Sequence, residues 1–232
     1  QEHLNEIFEI TKYLYENPEI GNEEVKACEA LSTSFEKHGF QVERGFCGIP
    51  TAFKAVFDSG KPGPVIAYCA EYDALPEVGH GCGHDLIATS ALLAAIALAK
   101  ELPETGGKVI VYGTPAEETA GAKVEMAAKN AFAEASVVMM AHPSPVSETS
   151  GTSMCLLPKM FRYYGKAAHA SACPEAGINA LDAVIQLFNG VNAIRQHMPK
   201  DVQFHGIISN GGAAANVVPD FAEAQFYVRA AK

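Results

Sequence analysis

Three short stretches of this 232-residue chain carry residue types suited to holding a divalent metal. The first begins Ala70-Glu71-Tyr72-Asp73-Ala74-Leu75-Pro76 and continues, after two residues, as Gly79-His80-Gly81-Cys82-Gly83-His84-Asp85. Three glycines interleaved with His, Cys and His suit a loop whose backbone wraps closely around something small. Thiolate and imidazole are good ligands for zinc and similar ions. A glycine turn with incidental polar side chains is the competing reading. The second stretch is Gly113-Thr114-Pro115-Ala116-Glu117-Glu118-Thr119. Adjacent carboxylates repel unless their roles are separated, one binding metal and the other serving as general base toward water. Taken alone, it reads better as a solvated acidic helix start. The third is Met139-Met140-Ala141-His142-Pro143, where a lone His is more often structural.

The elements that must position these residues change the weighing. Each stretch follows a hydrophobic run expected to be a strand: 65–70, 108–113 and 136–141, the last reading as a third core strand. Strand ends in α/β folds converge on one crevice, so three successive ends with candidate ligands point to one metal site. Apolar periodicity predicts helices over 3–16, over 23–38 with Asn22 as cap and Glu23 and Glu24 in the first turn, over 86–100 and over 122–133. Further strands are expected at 40–44 and 51–58. The alternation argues for an α/β layer fold with a mostly parallel sheet and helices on both faces.

Around 143–151 prolines and a Ser/Thr/Gly cluster mark a linker, giving domains at 1–150 and 151–232. The second reads as strand 154–165, helix 179–197, and strands 203–209 and 221–230. That is the start of a ferredoxin-like α+β unit, which normally adds one more helix and strand. The chain therefore reads as truncated at its C-terminus. His169 after the first of these strands, Asn210-Gly211-Gly212 through Asn216, and Arg229 are polar points with ordinary turn or surface readings. Arg matches the two oxygens of a carboxylate.

Composition excludes some partners. Net charge is −10, from 17 Lys+Arg against 27 Asp+Glu, with no basic run, so a nucleic acid is not expected. The longest unbroken apolar run, 91–99, is far short of the ~20 residues of a membrane span, so no membrane partner is expected. Residues 1–10 do not resemble a signal peptide. Six scattered cysteines in a chain this size read as reduced thiols in a cytoplasmic protein.

Together AEYDALP, HGCGHD, GTPAEE, AHP, YGKAAHAS, GGAAANVVPD and FYVRA resemble, in order and over nearly the whole chain, the two-metal amidohydrolases of metallopeptidase clan MH. The resemblance is strongest to the branch with p-aminobenzoyl-glutamate hydrolase and the β-alanyl dipeptidase type of M20 peptidase. It implies hydrolysis of an amide bond in an N-acyl amino acid or short dipeptide, with two divalent ions, zinc or manganese and also cobalt. It implies Cys82 as bridging ligand, His84, Glu118 and His142 as further ligands, Glu117 as general base, and Asp73 orienting a ligand. In a small lid domain that also dimerises, it implies that His169 stabilises the oxyanion in the partner's site. Asn216, Gly211, Gly212 and Arg229 would contact a substrate carboxylate or nearby polar groups. Glu71 stands where many relatives have a metal-binding His, and Cys82 where they have a bridging Asp. Both departures belong to the CGH branch. A last metal-binding His is expected beyond Lys232. A Cys82-dependent thiol hydrolase and a non-catalytic binding or dimerisation module are the rival readings.

Overall fold

A computed structural model describes residues 3–149 and 151–231. The chain divides into two units, Gln1–Ser147 and Glu148–Lys232. The first contains α1 (Leu4–Glu16), α2 (Val25–Lys37), β1 (Gln41–Arg44), β2 (Phe53–Asp58), β3 (Val65–Ala70), α3 (His84–Thr105), β4 (Lys108–Gly113), α4 (Ala122–Ala128) and β5 (Val137–Met139). The sheet order is β1-β2-β4-β3-β5. Strands β4, β3 and β5 are mutually parallel, as the crossovers through α3 and α4 require. The β1-β2 edge joins antiparallel, so the sheet is mixed, with its parallel part carrying the stretches singled out above.

Strand β4 shows why the sheet is covered on both faces. Val109 and Val111 point into a core built with Leu14, Leu31, Phe35, Leu92 and Ile96 from α1, α2 and α3. Ile110 and Tyr112 point the other way, against Phe46, Val56 and Phe132. On that side Met126 of α4 packs with Ile49 and Ala52. Helix α3 has the length and apolarity of a membrane span, yet it is half buried and packs on β3, β4 and α1. Here it is the core helix of the unit.

Several boundaries differ from expectation. Helix α2 starts at Val25 with no side-chain cap, and Asn22 instead takes a left-handed φ of 71°. Asn tolerates that conformation, and the turn it makes carries Glu24 into the interior, where it is fully buried instead of lying in an exposed first turn. Helix α3 begins at His84 and runs past Lys100, carrying Pro103 in its last turns. Helix α4 stops at Ala128, and turns follow it through Ala135. Strand β5 is a correction: among the described residues its three residues pair on one side only and are each 41% exposed, so here it is an edge strand and not a buried one.

The second unit contains β6 (Cys155–Tyr164), α5 (Ala180–Arg195), β7 (Gln203–Asn210) and β8 (Phe221–Ala230). Its sheet order is β6-β8-β7, with both pairings antiparallel. Strands β6 and β7 therefore run parallel with β8 between them, the split β-α-β arrangement of a ferredoxin-like unit. Asn179 caps α5, its Oδ1 accepting from the N–H groups of Leu181 and Asp182. Val184 of α5 packs on Ala222, Ala224 and Phe226 of β8. The opposite sheet face leaves Met160, Ile207 and Tyr227 exposed.

Candidate metal centre

The site is built in the first unit, at the C-terminal ends of the parallel strands. Ala70 of β3 pairs with Gly113 of β4, so both chains leave the sheet side by side. Only glycine fits at 113, because a Cβ there would collide with two carbons of the Phe53 ring and lie 2.8 Å from the Tyr72 hydroxyl. Tyr72 is fully buried and donates to the Thr51 carbonyl at 2.6 Å, which fixes the segment carrying Glu71 and Asp73.

His84, at the first turn of α3, is the hub. It is fully buried, and its Nδ1 lies 3.0 Å from both Oδ1 and the carbonyl oxygen of Asp73. Those two acceptors hold the proton on Nδ1 and leave the Nε2 lone pair free. Nε2 is buried without a hydrogen-bond partner among the described residues, facing Glu71 Oε2 at 3.5 Å, Glu118 Oε1 at 3.8 Å and Glu117 Oε2 at 3.9 Å. The second oxygen of Asp73 accepts from the Glu118 N–H at 2.9 Å. One carboxylate thus orders both the His84 ring and the loop that bears Glu117 and Glu118. Burial works to raise the Asp73 carboxyl, but the His84 and backbone hydrogen bonds outweigh it and hold it below the usual range.

The third stretch arrives through a close approach of glycine to proline. Gly83 adopts a φ of +80°, and a Cβ on it would sit 2.8 Å from the Pro143 ring. That contact brings Cys82 Sγ to 3.6 Å from His142 Nε2. Donor atoms of Cys82, His84 and His142 lie within 4.8 Å of one another, as do those of Glu71, His84 and Glu117. Burial and the carboxylates of Glu118, Glu117 and Glu71 push the Cys82 thiol up to about 11. Burial and Glu71 likewise raise the Glu117 carboxyl. A buried imidazole nitrogen without a partner, a thiol and several carboxylates around one point fit a divalent cation, whose charge would relieve their mutual repulsion.

The structure thus gathers Asp73, Cys82, His84, Glu117, Glu118 and His142. It also adds residues that sequence reasoning missed or misplaced. Glu71 is buried and paired with the Lys123 ammonium. Glu24 Oε1 accepts from the Ala116 N–H at 2.7 Å, across 92 residues of sequence. Ala116 itself has a left-handed φ of 58°, so Glu24 anchors a strained loop just before Glu117. A signal for Glu71 lay in its place at the end of an apolar strand. For Glu24 no local signal existed.

In the second unit, His169 Nδ1 accepts from the N–H groups of Ser171 and Ala172 at 3.3 and 3.2 Å. The proton of the neutral ring is then on Nε2, an exposed donor. The His169 and Asn216 loops touch, through the Ala170 N–H on the Asn216 carbonyl at 3.0 Å and a bridge between His169 and Val217. Gly211 and Gly212 line a cleft next to them with Ala215 and Val217. Arg229 is not brought to this group. It lies at the opposite end of β8 from Phe221, roughly 27 Å along the strand at 3.4 Å per residue.

Parallel strand ends that converge on one cluster of acids, imidazoles and a thiol in the first unit, with a split β-α-β fold in the second unit of the same chain, define a metallohydrolase-like architecture. Residues 160–232 match the M20-type peptidase dimerisation domain. It is 38% identical over 234 residues to the Xaa-Arg dipeptidase of Mus musculus, covering 95% of this chain and 54% of that protein. It is 36% identical over 243 residues to a subunit of the p-aminobenzoyl-glutamate hydrolase of Escherichia coli, covering 96% and 50%. The chain thus spans about half the length of these curated relatives. The fold matches an aminobenzoyl-glutamate utilization protein from Klebsiella pneumoniae, with a TM-score of 0.74 and 21% identity over 99% of this chain and 68% of that one. A dinuclear metal-binding M20 peptidase from Bacillus subtilis matches with a TM-score of 0.68 and 22% identity, over 98% and 64%.

Proposed function

We propose that this chain forms the catalytic half-shell of a di-metal amidohydrolase that cleaves the amide bond of an N-acyl amino acid or short dipeptide bearing a carboxylate. The observation that carries this is His84 Nε2, buried, unpartnered among the described residues and aimed among Cys82, Glu71, Glu117 and Glu118, with its other nitrogen tied to Asp73. The two candidate triads share His84. Cys82, Glu118 and His142 would join His84 in holding two divalent ions. Zinc, manganese and cobalt all suit these donors. Bound there, the ions lower the pKa of water and polarise the scissile carbonyl.

The chain's own residues do the rest. Glu117, 42% exposed beside the buried cluster, takes the proton of the attacking water and returns it to the leaving amine. Its raised pKa brings it closer to the neutral range in which a general base and acid works well. Asp73 keeps the His84 lone pair on the metal side. His169 presents an Nε2–H suited to a developing oxyanion, while Asn216, Gly211, Gly212 and Arg229 hold the substrate carboxylate and neighbouring polar groups. Because Arg229 and the His169 loop lie at opposite ends of one sheet, a single substrate meets both most simply when two lids contribute. The reading therefore takes the protein as a homodimer or higher oligomer, supported by the match to a peptidase dimerisation domain. The names of the two curated relatives each describe an amino acid joined to another group, and they support this substrate class. Cytoplasmic residence is supported by six free cysteines. Neither nucleic acid nor membrane is a partner in this reading.

A thiol route is disfavoured by the carboxylates around Cys82. Burial, with these carboxylates, pushes its thiol up to about 11, whereas nucleophilic cysteines sit in electropositive surroundings. The test is Glu117→Gln in the full-length protein, assayed on dipeptides and N-acyl amino acids. The reading expects at least a ~10²-fold fall in kcat with metal content unchanged. Near-normal turnover would remove Glu117 from the chemistry.

A further inference from the structure

A second group of metal-ligating side chains lies away from this centre and shares no residue with it. His3 stands at the N-terminal end of α1, Glu6 in its first turn and His38 at the C-terminal end of α2. One donor atom from each lies within 4.8 Å of the other two. Glu6 Oε2 is already 3.1 Å from His38 Nε2, close to the ~3.4 Å between neighbouring ligands at 2.0–2.1 Å around a tetrahedral zinc. The His3 and His38 rings meet edge to face with centroids 4.8 Å apart. The His3 Nε2 atom is sealed from solvent and has no hydrogen-bond partner among the described residues. A buried imidazole nitrogen is rarely left unsatisfied, and here it lies beside a carboxylate and a second imidazole.

We propose that His3, Glu6 and His38 bind a divalent transition-metal ion of the zinc type, clasping the start of α1 to the end of α2. Two imidazoles and one carboxylate are borderline donors that favour zinc or cobalt over calcium or magnesium. Three protein ligands leave a fourth position for water. Glu6 is held for this role, since its Oε1 accepts from Ser34 Oγ at 3.2 Å and leaves Oε2 for the ion. Lys37 Nζ also lies 3.1 Å from Oε2, but that side chain is 65% exposed. Exposed lysine pairs contribute little and rearrange readily, so the ammonium swings into solvent when a dication takes its place. Glu6 also forms an ion pair with His38 itself, at 3.1 Å.

The test is a zinc and cobalt titration of the metal-depleted full-length protein, with ions per chain counted after dialysis. Wild type is compared with His38→Gln, His3→Gln, Cys82→Ala and the Cys82→Ala/His38→Gln double variant. We expect His38→Gln and His3→Gln each to lose one ion, whether or not Cys82 is present, with turnover of the metal-loaded protein unchanged. Cobalt remaining in Cys82→Ala should show a tetrahedral visible spectrum without a thiolate charge-transfer band, and this spectrum should vanish in the double variant. Equal ion counts in wild type, His38→Gln and His3→Gln would overturn the proposal. If His38→Gln does not fold, His3→Gln decides the matter, because His3 lies at the helix end and its loss leaves the core residues in place.

Discussion

Replacing Asp73 by Asn probes the link between second-layer geometry and metal affinity. The Asp73 carboxylate divides its oxygens, Oδ1 toward His84 Nδ1 at 3.0 Å and Oδ2 toward the Glu118 N–H at 2.9 Å. Asn has one acceptor for two donors. If its oxygen serves Glu118, its NH2 group faces the His84 N–H, and that ring keeps only the Asp73 backbone carbonyl, also at 3.0 Å. If the oxygen serves His84, the Glu118 N–H loses its partner. Either way one charge-assisted hydrogen bond in a buried place is lost, at a cost of about 1.5–3 kcal/mol. At ~1.4 kcal/mol per tenfold, metal affinity should fall about 10- to 100-fold, in line with other ligand-orienting groups. Because Asn keeps one of the two side-chain hydrogen bonds and Ala keeps neither, Asp73→Asn should bind metal more tightly than Asp73→Ala. The assay is competitive titration of the metal-depleted protein against a chromophoric chelator. Unchanged affinity in Asp73→Asn, or equal affinity in the two variants, would refute the reasoning.

Three other perturbations follow from the same structure. Burial holds the Glu24 carboxyl above the usual glutamate range, so its ionisation opposes folding: the native state favours the proton, and that contribution fades as pH rises from about 4 through the raised value. Glu24→Gln, which cannot ionise, should therefore gain stability relative to wild type as pH rises from 4 to 7, read from urea midpoints; a pH-independent difference would contradict this. Glu24→Ala should instead destabilise by about 1–3 kcal/mol by stranding the buried Ala116 N–H, and a loss below about 0.5 kcal/mol would count against the anchor. Gly83→Ala should weaken metal binding with a smaller effect on the fold, because the new Cβ at φ +80° meets Pro143 and separates Cys82 from His142; metal affinity equal to wild type would show the contact to be dispensable. Lys123→Met leaves the buried Glu71 carboxylate without its cation and should lower the melting temperature of the metal-depleted protein, with divalent metal recovering most of the loss; no recovery would place Glu71 outside the metal's reach.

The parts legible in the sequence were those set by local pattern. The apolar runs of β3 and β4 and the helical stripe of α1 specify their elements within a few residues. The ligand-bearing stretches were visible because glycine, His and Cys interleave at strand ends. What escaped was set by distant contacts. Glu24 looks like an exposed first-turn acid until Asn22 turns the chain and the Ala116 N–H, far along the sequence, claims its carboxylate. Strand β5 has the composition of a core strand, yet neighbours and not composition decide burial, and among the described residues it pairs on one side only. The His3–Glu6–His38 group joins two helix ends that only tertiary packing brings together.

The measurement that bears most directly on the central claim is the metal content of the purified full-length protein, wild type beside Cys82→Ala. The account predicts about two ions per wild-type chain at the centre around His84, with a clear loss in the variant and no loss of fold by circular dichroism. Wild-type protein that holds no divalent ion after reconstitution, or a Cys82→Ala variant that keeps its full complement, would contradict it.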